Sequence, residues 1–106
     1  MSLIAVYIPC KDDDEARTIS QALLREKLVA CAGMWKMNSL FLWKGELKDE
    51  DEVVIFAKST DDKYEGIKNQ VRELHSYELP AIIKIPIEAN EEYEKWLKNE
   101  LNQQQE

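Results

Sequence analysis

The chain has 106 residues, enough for one domain with a core of its own. Hydrophobic residues make up 44% of it, as in ordinary globular proteins, and no apolar run approaches the roughly 20 residues that a membrane-spanning helix needs. The formal charge is −7, from 14 basic and 21 acidic residues, which argues against nucleic acid as a partner because such binding depends on Lys and Arg neutralising phosphates.

Leu3–Ile8 is a nearly continuous apolar run and predicts a central strand, which Pro9 should stop because proline has no amide hydrogen for the ladder. The segment before it has no basic flank, so no signal peptide is expected. Asp12–Glu15 is an acidic cluster suited to the positive end of a helix dipole, and Asp12 with Glu15 has capping-box spacing. Ala16, Ile19, Leu23 and Ala30 fall near helical spacing and predict a helix over about 13–28. Residues 30–43 read as one long bent strand, with Gly33 marking a bulge or a close backbone approach. Lys44-Gly45 is a two-residue connection in which glycine takes positive φ without a Cβ clash. A second strand over 46–59 returns from it, so residues 39–58 form a long β-hairpin with a solvated acidic stretch at Asp49–Glu52.

Thr60 or Asp61 can cap the next helix, in which Tyr64, Ile67, Val71 and Leu74 share a face. His75–Pro80 is a loop, and Ala81–Ile87 a strand that Pro86 makes an edge strand or bulges. Asn90 caps a last helix with Tyr93, Trp96, Leu97 and Leu101 on one side, and the polar residues Asn102–Glu106 should fray. The order β-α-β-β-α-β-α predicts an α+β, ferredoxin-like fold over residues 1–106 as a single domain: a four-stranded antiparallel sheet with helices on one face and an additional C-terminal helix. The two hairpin strands exceed the usual length of about five or six residues. The first strand can pair along only part of them, and the unpaired remainder calls for a partner.

Leu28-Val29-Ala30-Cys31-Ala32, Ser39 through Leu47, Glu52 through Thr60, His75 through Ile82 and Tyr93 through Leu97 together resemble the CutA1 divalent-cation tolerance proteins, in that family's order. The resemblance implies a homotrimer of PII-like architecture in which the hairpins pack on neighbouring subunits. It also implies a link to tolerance of copper and other divalent cations. The chain departs from the family's pattern at Ser76, where proline is usual, at Ala81, commonly acidic, near Gly33, where asparagine is usual, and at Leu74, where some members carry a second histidine before His75.

Cys10 lies between the first strand and a helix N-terminus, where the dipole is expected to lower a thiol's pKa. A thiolate paired with an imidazole suits copper, and the resemblance makes Cys10 and His75 the metal candidates. The opposing reading is a small buried thiol and a hydrogen-bonded loop histidine. Glu52 and Lys58 are six residues apart and share a strand face. The resemblance places them with Trp43, His75 and Tyr77 in a ligand-binding cleft between subunits. An interfacial salt bridge beside a hydrogen-bonded tyrosine reads equally well. Cys10 and Cys31 match no zinc or redox spacing, and reduced thiols in the cytoplasm are expected. With no nucleophile elbow, phosphate loop or catalytic carboxylate pair, no enzyme is expected. The leading expectation is a cytosolic homotrimer binding divalent metal, copper foremost, with no organic cofactor and neither nucleic acid nor membrane as partner. The alternative is a PII-like sensor of a small ligand held between subunits.

Overall fold

The structure, a computed structural model, describes residues 1–102; of the tail expected to fray from Asn102, Asn102 itself closes the last helix and 103–106 lie outside the described residues. The elements are β1 (Leu3–Cys10), α1 (Asp13–Arg25), β2 (Cys31–Trp43), β3 (Glu46–Thr60), a 3-10 turn (Asp61–Lys63), α2 (Tyr64–Leu74), β4 (Ile83–Pro86) and α3 (Glu91–Asn102). The sheet runs β2-β3-β1-β4 with every neighbouring pair antiparallel, which is the ferredoxin-like order.

Strand alternation divides the side chains between two faces. On one, Ile4, Val6, Ile8 and Cys10 of β1 join Val53, Ile55 and Ala57 of β3 beneath Ile19 and Leu23 of α1 and Ile67 and Val71 of α2. At one end of the molecule α3 packs Leu97 and Leu101 against Leu3, with Ala30, Ile87 and Tyr93 around them. The rest of the second face holds an aromatic row, with Trp35 5.7 Å from Phe56 and 6.3 Å from Tyr7 between ring centres.

Four element ends differ from expectation. Pro9 does not stop β1, which continues to Cys10 opposite Val53. β4 pairs only with Ile4–Tyr7, so the amide hydrogen that Pro9 lacks is missed by no neighbour. α1 ends at Arg25 rather than 28, because Lys27 takes φ 58°. Its amide donates to the Leu24 carbonyl and that of Leu28 to the Leu23 carbonyl, a Schellman closure with lysine in the place glycine usually holds. Thr60 precedes a 3-10 turn with no side-chain cap bond, and Asp61 instead pairs with Lys84 at 2.7 Å. β4 spans four residues, not seven, since the Ile82 carbonyl is taken by the Tyr64 hydroxyl at 2.5 Å. Pro86 ends this outer strand, as its missing donor allows.

Candidate metal centre and the adjoining cleft

The chain turns from β1 into α1 within two residues, Lys11 and Asp12. Asp12 is extended and its carboxylate accepts the Glu15 amide at 2.9 Å, a working N-cap. Glu15 does not complete the reciprocal bond to the cap residue. Its Oε1 accepts the Lys11 amide at 3.1 Å, and its Oε2 accepts the amide of Ser76 at 3.0 Å. One carboxylate therefore ties the start of α1 to the loop that follows α2.

His75 begins that loop and its side chain is 0% exposed. Nε2 lies 2.8 Å from the Pro9 carbonyl oxygen, which can only accept, so Nε2 carries the hydrogen. Nδ1 accepts the Tyr77 amide at 3.1 Å and is the bare nitrogen. The partners thus select one neutral tautomer. Nδ1 also lies 3.6 Å from Glu15 Oε1. Cys10 is fully buried, with Sγ 3.6 Å from the Ile8 carbonyl oxygen.

One ligand atom each from Cys10, Glu15 and His75 all lie within 4.8 Å of one another, the one such group among the described residues. Cys10 and His75 meet as the sequence suggested, but the expected thiol is overturned. Burial first, then the carboxylates of Glu15, Glu52 and Asp12, push it up to about 12. Burial works against charge on Glu15 too, yet hydrogen bonds from Ser76 and the Lys11 amide, with His75 nearby, hold it below its usual value. Glu15 was legible in sequence only as a helix-start carboxylate. Its spacing of five residues from Cys10, across a strand-to-helix turn, was the available signal.

Beside this centre lies a cleft of about 530 Å³ between the hairpin and the 75–81 loop. Its hairpin wall carries Phe41, Trp43, Glu50 and Glu52, and its loop wall Tyr77 and Glu78. Glu52 is 6% exposed, and the Tyr77 hydroxyl donates to its Oε2 at 2.7 Å. Burial and then this bond raise the Tyr77 phenol above its usual range, so it stays neutral. The His75 ring packs against that of Tyr77 at a tilt of 54° with centres 4.6 Å apart, and it is absent from the cleft lining.

Lys58 is not in the lining. It pairs with Cys31 across the β2–β3 ladder, and its ammonium sits 5.5 Å above the Tyr93 ring. The Tyr93 hydroxyl is 3.2 Å from Cys31 Sγ. Burial would lower the Lys58 pKa, but Cys31 and Tyr93 prevail and raise it. Trp43, Glu52 and Tyr77 therefore converge, and Lys58 occupies the other end of the same sheet face.

A family model described as CutA1 divalent ion tolerance protein matches residues 4–100. The divalent-cation tolerance protein CutA of Pyrococcus horikoshii is 36% identical over 96 residues, covering 90% of this chain and 94% of the relative. That of Thermus thermophilus is 36% identical over 88% of this chain and 92% of its own length. Among solved structures, the CutA of Archaeoglobus fulgidus, described as a periplasmic divalent cation tolerance protein, superposes with a TM-score of 0.91 at 30% identity, covering 94% of this chain and 99% of that one.

Proposed function

Because this chain belongs to the CutA1 divalent ion tolerance protein family, we propose that it binds divalent metal ions at Cys10, Glu15 and His75 and contributes to metal tolerance as a binder rather than an enzyme. The observation carrying this reading is the convergence of thiol, carboxylate and imidazole within 4.8 Å in a buried corner. The donor chemistry fits the group: a sulfur and a nitrogen ligand favour copper among the available divalent ions, and the carboxylate balances charge.

The residues also set what binding must overcome. The thiol must lose a proton held to about 12. Nδ1 must exchange the Tyr77 amide for the ion, and Glu15 must release amide donors. Binding therefore expels a proton and pulls on the loop that bears Tyr77. The two free cysteines support a cytoplasmic home, and the long arm supports assembly as a homotrimer.

Calorimetric titration of the protein with copper tests the reading. Affinity should fall about tenfold or more in Cys10→Ser, Glu15→Gln and His75→Ala, as for loss of a ligand or of a group that orients one. It should rise with pH as the thiol proton becomes easier to remove. Copper affinity unchanged across all three variants overturns the assignment.

A further inference from the structure

We infer that Cys31 is a site of reversible oxidation by small hydroperoxides. The sulfur does not stand alone. Cys31 opens β2 directly opposite Lys58 in the β2–β3 ladder, and residues so opposed hold their Cβ atoms about 5 Å apart. α3 lays Tyr93 across the pair. Its hydroxyl is 3.2 Å from the Cys31 sulfur, and the Lys58 ammonium is 5.5 Å from the centre of its ring. A thiol, an ammonium and a phenol thus meet at the end of the sheet away from the arm.

Charge gives the cluster its direction. Among the described residues no carboxylate comes within ion-pair distance of Lys58, whereas Lys44, Lys48, Lys68, Lys84 and Lys98 each have one. Burial would lower the Lys58 pKa, yet contact with Cys31 and then Tyr93 raises it, so Lys58 stays an ammonium. The Tyr93 phenol is raised too, by burial first and then by Cys31, and keeps its hydrogen. An ammonium can only donate, and a neutral phenol has a hydrogen to donate. Both therefore serve a sulfur anion, or the oxygen that leaves when that sulfur reacts.

Cys10 is the internal contrast. That thiol is fully buried among the carboxylates of Glu15, Glu52 and Asp12, its proton held to about 12. Cys31 is only half-buried and faces a cation, so a small oxidant can reach it. The step balances without a metal. The thiol proton passes to solvent, and the sulfur attacks the near oxygen of the hydroperoxide. An S–O bond forms as the O–O bond breaks, so sulfur is oxidised and the peroxide reduced. The departing oxygen takes a proton from the Lys58 ammonium and leaves as water or an alcohol, and Lys58 regains a proton from solvent. The product is a sulfenic acid, which further thiols return to the reduced state.

Treatment of the protein with hydrogen peroxide and dimedone, which traps sulfenic acids, tests the inference, with the adduct at each cysteine followed by peptide mass spectrometry. Prior dialysis against a chelator keeps the outcome independent of the metal reading. Cys31 should label at least about tenfold faster than Cys10, and faster in the folded protein than in urea, where the cluster is dispersed. Lys58→Met, which keeps the stem and removes the charge, should slow labelling of Cys31 about tenfold or more, as for loss of a proton donor. Tyr93→Phe, which leaves the ring in place, should slow it several-fold and supplies the test if Lys58→Met fails to fold. Lys98→Met, which removes a surface charge from α3, should leave the rate within about twofold. Equal labelling of the two cysteines in the folded protein, Cys31 labelling faster in urea, or rates in Lys58→Met and Tyr93→Phe equal to that of Lys98→Met overturns the inference.

Discussion

At the scale of single residues, the molecule turns on Glu15. Its two oxygens each accept a backbone amide, from Lys11 and Ser76, and only 7% of the side chain is exposed. In Glu15→Gln one of those amides must face an NH2 group, donor against donor, which should cost on the order of 2 kcal/mol at neutral pH. The pH dependence follows from the lowered folded pKa. A depressed carboxylate contributes stability above its unfolded value of 4.5, and that contribution is lost as pH falls through the still lower folded value. Melting temperatures should therefore favour wild type at neutral pH and converge with those of the variant in acid. A constant gap across the acid range would show that Glu15 acts through packing alone. Cys10 and His75 could be singled out in sequence as a thiol after a strand and a lone histidine, but their closeness could not, because it depends on the loop after α2 folding back on β1. Glu15 was hidden, because a carboxylate in the first turn of a helix reads as a cap until the loop from Ser76 is seen to lie against it.

The secondary elements themselves were nearly all legible, since their period-2 and period-3.6 patterns are long; their ends were not, because the ends depend on neighbours. Pro9 remains in β1 because β4 has already stopped, and β4 is short because Tyr64 claims the Ile82 carbonyl. The end of α1 is the sharper case. Apolar spacing ran on past Arg25, yet the Schellman bonds from Lys27 and Leu28 close the helix through a left-handed residue. An L-residue there costs about 1–2 kcal/mol, part of which glycine would return as extra freedom in the unfolded chain. Lys27→Gly should thus stabilise the protein by on the order of 0.5–1 kcal/mol, seen as a higher urea midpoint with an unchanged slope. A lower midpoint would mean that the lysine stem contributes packing worth more than the strain.

For the whole molecule, the sheet order was readable from one hairpin and two split units, whereas distances along the sheet were not. Glu52 and Lys58 share a face, as spacing implied, but six residues of strand separate them by about 20 Å, and that placed Lys58 beside Cys31 instead of in the cleft. The same long arm bears on assembly. β1 ends opposite Val53, so the hairpin beyond it lacks β1 support, and β2 lies at the sheet edge through all 13 residues. The molecule is drawn out to 44 × 29 × 21 Å. Leu42 and Leu47 face each other across the hairpin, 74% and 73% exposed, with Leu40 at 67% on the same side. Burying a leucine is worth roughly 1.5–3 kcal/mol, so three of them beside an open edge leave a strong drive for a second and third copy to cover the arm. A closed ring leaves no free copy of that surface. Sedimentation equilibrium should give three times the chain mass, and the Leu40→Lys, Leu42→Lys double variant should shift the mass toward that of one chain while weakening assembly by well over tenfold, as for the loss of more than 1.4 kcal/mol per interface. A single-chain mass for the unaltered protein, with a melting point independent of concentration, would show that the arm stands in solvent uncovered.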